Sequence, residues 1–219
     1  MRTQTWPQPF LRTALTLLLI WLVLLGALSL RGFFSDFTSL PPRLLLALLV
    51  PLPIILIGAR SKPGQRLLAQ IQPQWLIYLQ SFRILVEITL WLLVRHGSLP
   101  IQMSFEGRNF DIFAGLLAFP MGYYCFVKKT WPSVVILLYN IGGLLLLLNI
   151  VSITILSAPV PFRVFHNQPD SSLVTRFPLI YLPGFLVPLA YSLHILSIGQ
   201  WRKTRNEWRK ARRHETKAI

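Results

Sequence analysis

Of the chain's 219 residues, 53% are hydrophobic and 13% charged, and mean hydropathy is +0.55; an ordinary soluble domain carries about a quarter charged residues. That balance excludes a typical water-soluble domain and points to an integral membrane protein. The net charge of +15 does not point to nucleic acid, because the cations fall in short segments between apolar runs and in a C-terminal tail, where membrane proteins meet lipid headgroups.

A helix needs about 20 mostly apolar residues to cross roughly 30 Å of hydrocarbon. Six runs qualify, at about 13–30, 44–59, 74–94, 109–127, 132–157 and 179–198. The first is expected to stay as an uncleaved span, since its 18 residues are long for a signal peptide and five further runs follow. The second carries Pro51 and Pro53 and the sixth Pro183 and Pro188, which membrane helices tolerate when neighbours satisfy the freed carbonyls. The expected fold class is all-α: a polytopic transmembrane helix bundle of six spans with short loops over 1–200, then a basic tail over 201–219.

Six spans put both ends of the chain on one side. The N-terminal stretch, the segments at 60–73 and 128–131 and the tail hold fifteen Lys and Arg, while the loops at 31–43, 95–108 and 158–178 hold six. The positive-inside rule then makes both termini cytoplasmic. In the tail, Trp201, Arg202, Lys203, Arg205, Trp208 and Arg209 read as a lipid-interface helix, the tryptophans seven apart on one face and the cations toward anionic headgroups.

The third run, "YLQSFRILVEITLW", places Gln80, Arg83 and Glu87 within a roughly 60° arc of one helix. A charge at mid-bilayer costs at least about 2.5–3.5 kcal/mol on insertion scales, so this stripe is expected to face protein. Arg83 and Glu87 are expected to pair across one turn, although Arg before Glu is the weaker order. Counting about 1.5 Å of rise per residue brings Asn140 of the fifth run and His194 of the sixth into the layer of Gln80 and Arg83, with Glu87 higher. This layer is open to three readings: a structural clasp, a proton or solute pathway, or a ligand pocket. A bis-histidine haem is not expected, because no second histidine lies at the depth of His194.

After the third run, "MSFEGRNFDIFAGL" forms an outer-face segment with Glu106, Arg108, Asn109 and Asp111. Asn109 suits a helix cap and Asp111 the positive end of a helix dipole; Glu106 and Arg108 are open to pairing with each other, or Arg108 with Glu87. Histidines and carboxylates of the outer loops lack a diagnostic ligand spacing, and no phosphate loop, dinucleotide fingerprint, zincin site or nucleophile elbow occurs. No catalytic residue, metal or cofactor is therefore expected. The lone Cys125 precludes an intramolecular disulfide.

The stretches "QSFRILVEITLW" and "MSFEGRNFDIFAGL" together resemble a group of uncharacterised multi-span bacterial inner-membrane proteins, in which an R-x-x-x-E helix leads into an F-E-G-R-N-F-D segment. The resemblance implies that Arg83, Glu87, Glu106, Arg108, Asn109 and Asp111 form one unit, and it implies no activity. The expected role is a non-enzymatic helper or subunit of a membrane assembly, with the bilayer, anionic headgroups and a membrane protein as partners. The alternative is a small proton-linked carrier using an Arg83–Glu87 layer.

Overall fold

The computed structural model describes residues 8–217, and their side chains apart from Thr204 and 206–217. Every regular element among the described residues is helical. Helix α1 (Gln8–Leu30) is followed by α2 (Leu44–Leu49) and α3 (Pro51–Arg60), nearly continuous because a proline suits the first turn of a helix. Then come α4 (Lys62–Gln70), α5 (Pro73–Tyr78) and α6 (Phe82–Arg95), the last two linked through a short 3₁₀ turn. Helices α7 (Ile112–Gly122), α8 (Val134–Ser157) and α9 (Val187–Lys217) complete the fold.

Among the described residues, four helices are long and apolar enough to cross a membrane: Gln8–Leu30, Pro73–Arg95, Val134–Ser157 and Leu182–Lys203. A fifth is counted if Leu44–Arg60 and Lys62–Gln70 are taken as one broken span, bent by 82°, and Ile112–Val127 is a shorter apolar helix. The all-helical class therefore stands, with four or five candidate spans by length and composition.

The apolar residues divide into faces. Only Leu25, Gly26 and Ser29 of α1 are buried, while Leu15, Leu19, Ile20 and Val23 are exposed. Leu85, Ile88 and Leu92 of α6 and Leu138, Leu145 and Leu148 of α8 also point outward. Inward-facing residues among those described form two main clusters, beside a small third one of Phe37, Ala158 and Val160. One, toward the Arg95 end of α6, gathers Leu25, Leu90, Met103, Ile150 and Ile180. The other, toward the Tyr78 end, gathers Ile77, Ala118, Cys125, Ile136 and Tyr139.

Proline breaks are repaired locally. Pro188 offers no N–H to the carbonyl of Gly184 four residues back, and Trp21 Nε1 of α1 donates to that carbonyl at 2.8 Å. The chain around Gly184 forms a π-turn, Leu182–Leu186, and a second π-turn, Tyr123–Val127, follows Pro120 at the end of α7. These turns are how the fourth and sixth runs accommodate their prolines.

A buried Arg83–Asp111 centre as the candidate functional site

The polar stripe of α6 is fully internal: Gln80 is 0% exposed, and Arg83 and Glu87 are 1% exposed each. Arg83 and Glu87 nevertheless do not pair with each other. Arg83 Nε donates to Asp111 Oδ2 at 2.7 Å and Nη2 donates to Asp111 Oδ1, a bidentate pair. Planar guanidinium matches carboxylate in this fork geometry. The expected Arg83–Glu87 pair is thus replaced by one that joins α6 to a residue 28 positions away.

Asp111 reaches Arg83 because the segment between α6 and α7 does not stay at the end of the bundle. Gly115 of α7 lies against Ile84: a Cβ on that glycine would stand 2.8 Å from Ile84 Cγ1 and 3.0 Å from its backbone nitrogen. One helical turn before Gly115, Asp111 is level with Glu87, about 12 Å of helical rise inside the Arg95 end of α6. Residues 96–111 therefore descend into the bundle as coil and one 3₁₀ turn. The expected helix over 109–127 begins only at Ile112.

Asn109 secures that descent. Its Nδ2 donates to Glu87 Oε1 at 2.6 Å and to the Met103 carbonyl at 3.1 Å, and its Oδ1 accepts the backbone N–H of Asp111 at 3.1 Å. Asn109 does not cap α7 directly but closes a turn ahead of it and joins Glu87 to the Asp111 loop. Asp111 occupies the cap position of α7 without a capping bond of its own; its carboxylate serves Arg83 instead.

On the other side of Arg83, Nη1 lies 2.9 Å from His194 Nε2, and His194 Nδ1 lies 2.9 Å from Asn140 Oδ1. Guanidinium only donates, so His194 Nε2 accepts, and the ring is the neutral Nδ1–H tautomer donating to Asn140. Asn140 Nδ2 in turn donates to the Ile136 carbonyl at 2.7 Å and to Ser197 Oγ at 3.0 Å. The chain Asp111–Arg83–His194–Asn140–Ser197 thereby ties together the α7 entry, α6, α9 and α8 through buried side chains. Gln80 joins separately, its Nε2 donating to the Ala190 carbonyl of α9 at 3.1 Å.

The layer expected from helical depth, Gln80, Arg83, Asn140 and His194, is thus brought together, and Asp111 is added to it. Three further residues belong to it. Tyr139 donates from its hydroxyl to the Ala114 carbonyl at 2.8 Å, with its ring 5.6 Å from the His194 imidazole. Ser197 accepts from Asn140. Gly143 leaves room for His194: a Cβ there would stand 2.3 Å from the ring's Cε1 and Nε2. The sequence signal for Asp111 was available, since it lies between Phe110 and Ile112 at the start of an apolar run. The other three carried no comparable mark.

Two acceptor atoms at the edges of the centre, Glu87 Oε2 and Gln80 Oε1, are buried without a hydrogen-bond partner. Beside Glu87 lies a cavity of about 70 Å³ between α2, α6, α8 and the start of the last helical run, with a wall that is apolar except for Glu87, Asp111 and Thr154. No three His, Cys, Asp or Glu side chains among the described residues group to hold a metal ion.

The rest of the outer-face segment divides. Glu106 lies 3.9 Å from Arg95, the arginine largely and the glutamate about a third exposed, and Arg108 sits over the Phe165 ring at 5.3 Å. These two neither pair with each other nor reach Glu87, so Glu106 and Arg108 are separate from Glu87, Asn109 and Asp111. In the tail, Trp201 is half-buried against the cluster of Ile77, Cys125 and Ile136, and Arg205 lies over its ring at 5.2 Å. Arg202 and Lys203 are exposed. The side chains of Trp208 and Arg209 lie outside the described residues, although helix α9 itself runs past them.

No characterised protein and no solved structure matches the chain significantly. Residues 41–201, which contain the whole Arg83 centre, match one protein family described as Domain of unknown function (DUF8737), and the chain belongs to that family.

Proposed function

We propose that this protein spans a bacterial inner membrane six times, with both ends of the chain in the cytoplasm, and acts as a non-enzymatic helper or subunit of a membrane assembly. In this reading the Arg83 centre is a structural clasp. The observation that carries it is that four of the five N–H donors of Arg83 are engaged, by Asp111, His194 and the Gly143 carbonyl. A charge so enclosed fixes which helices meet. The outward leucine and isoleucine faces of α1, α6 and α8 suit lipid or an apolar partner, since proteins in water rarely expose large contiguous apolar patches. The fourth crossing would consist of the descending coil at 96–111 together with Ile112–Val127. Such coil is tolerated at membrane depth where protein surrounds it.

The experiment is purification in mild detergent after crosslinking in cells. A stoichiometric membrane-protein partner is the expected result, and a protein recovered alone at every crosslinker dose overturns the assembly role. A second reading, a proton-linked carrier, is favoured by Glu87, whose Oε2 has no partner and which borders the cavity. Glu87→Gln separates the two. Gln retains an acceptor for Asn109, so the clasp keeps its stability and no solute flux is affected. A stable Glu87→Gln protein that loses pH-dependent uptake shown by the wild type in liposomes establishes the carrier.

A further inference from the structure

The segment at 60–73, read from its sequence as a connecting loop, contains a helix whose direction is set by the chain itself. Ser61 Oγ accepts the Gly64 N–H at 3.2 Å and donates to the Gly58 carbonyl at 2.6 Å, and Pro63 occupies the first turn of α4. A Cβ at residue 64 would stand 2.1 Å from the Gly58 carbonyl oxygen, so only glycine permits the chain to fold back so tightly. The result is the 82° turn between α3 and α4. If α2 and α3 run across the membrane, α4 lies along its surface.

Helix α4 is amphipathic. Lys62, Gln65 and Arg66 are exposed, and Leu67 and Leu68 are half-buried. It is joined to α9 through the bond from Gln200 Nε2 to the Leu68 carbonyl at 3.3 Å. Trp201, the next residue, packs on the same cluster as Cys125 and Phe126, which brings the Lys128–Lys129 turn to this end of the bundle. Arg60, Lys62, Arg66, Lys128, Lys129, Arg202, Lys203 and Arg205 are all exposed there, and stretches 60–73, 128–131 and 199–205 contain no Asp or Glu. Trp75, Tyr123 and Trp131, each more than a third exposed, ring the same end as interfacial aromatics do.

We infer that α4 is an interfacial helix and that α4, the Lys128–Lys129 turn and the first exposed cations of α9 form one face that binds the phosphate headgroups of anionic phospholipids. Charge complementarity selects this occupant: eight cations without an acid, framed by tryptophan and tyrosine, match an anionic lipid surface and repel a basic one. This goes beyond a basic tail acting alone, because three of the cations belong to α3 and α4. It rests on the membrane-spanning reading proposed above.

The test reconstitutes the full chain into vesicles of phosphatidylcholine with one quarter phosphatidylglycerol and measures the phosphatidylglycerol retained per protein after detergent extraction. The variants are Arg60→Gln/Lys62→Gln/Arg66→Gln and, as an equal change of charge at the other end, Arg95→Gln/Arg108→Gln/Arg176→Gln. Each cation near an anionic surface contributes about fivefold in affinity, so the α3–α4 variant is expected to lose retained phosphatidylglycerol several-fold while the control variant keeps it. Equal retention by the α3–α4 variant and the wild type, or equal loss in the control, overturns the inference. Should the triple variant not accumulate, Lys62→Gln/Arg66→Gln gives the same readout. Carbonate extraction keeps the two readings apart. Wild-type protein released by carbonate overturns the membrane reading, whereas carbonate-resistant protein with unchanged lipid retention overturns only the role of α4.

Discussion

Arg83 is the largest fully buried side chain among the described residues, and its surroundings show how the cost of burying its charge is offset. A buried charge is tolerable only when paired and hydrogen-bonded; Arg83 has a bidentate carboxylate on one side and a neutral imidazole on the other. Removing one member of such a pair leaves the other uncompensated. Asp111→Asn is therefore expected to cost about 3–5 kcal/mol, read by unfolding in mixed micelles, and Arg83→Met is expected to cost a similar amount. The double variant, with neither charge left, should lose clearly less than the two singles summed. Strict additivity in that cycle would show that the pair is not coupled. Glu87 behaves differently, because its bond is to Asn109 rather than to Arg83. The two acids within the bundle thus have separate roles although they sit at one level.

At the scale of elements, periodicity carried much of the information. The stripe Gln80–Arg83–Glu87 follows from 100° per residue, and the meeting of Arg83 with Asn140 and His194 follows from counting rise along three helices. The partner of Arg83 did not follow, because counting places Asp111 at the end of the bundle unless the coil at 96–111 is known to descend. That descent is a tertiary fact, secured by Asn109 bonding to Glu87 and Met103. Helix α4 was hidden for another reason: "KPGQRLLAQ" is short and polar, and it begins with the proline and glycine that ordinarily mark a loop. Here Pro63 and Gly64 start a helix after a sharp turn. Gly64→Ala is expected to force that turn open and cost about 1–3 kcal/mol, as overpacking does. Gly58→Ala, where a Cβ would meet nothing within 4 Å, should be neutral or slightly stabilising. Thermal unfolding of both variants in detergent measures the difference, and equal midpoints would remove the steric account of the bend.

At the scale of the whole molecule, the number of crossings turns on the short helix Ile112–Val127. Its length alone is marginal for roughly 30 Å of hydrocarbon. Its position is more informative. It starts level with Glu87, and Gly122 packs against Tyr78, where a Cβ would stand 2.2 Å from the ring. The chain then reaches exposed Lys128 and Lys129 at the end of the bundle where α4 lies. Coil and helix together thus travel from the Arg95 end of α6 back to the Tyr78 end, which is one full traverse. In the six-span reading proposed above, the chain crosses three times between Gln65 and Gln168: over the candidate spans Pro73–Arg95 and Val134–Ser157 and over the 96–127 segment between them. Three is odd, so the two glutamines should face opposite sides; without the middle traverse they would share one. Both are exposed, and Cys125 is buried, so single cysteines at 65 and 168 in a Cys125→Ser background report cleanly. An impermeant maleimide is expected to label position 168 in intact cells and position 65 only after the membrane is opened, in keeping with the excess of Lys and Arg on the side of residue 65. Labelling of both positions from one side would remove the middle traverse, and labelling of position 65 alone from outside would invert the orientation.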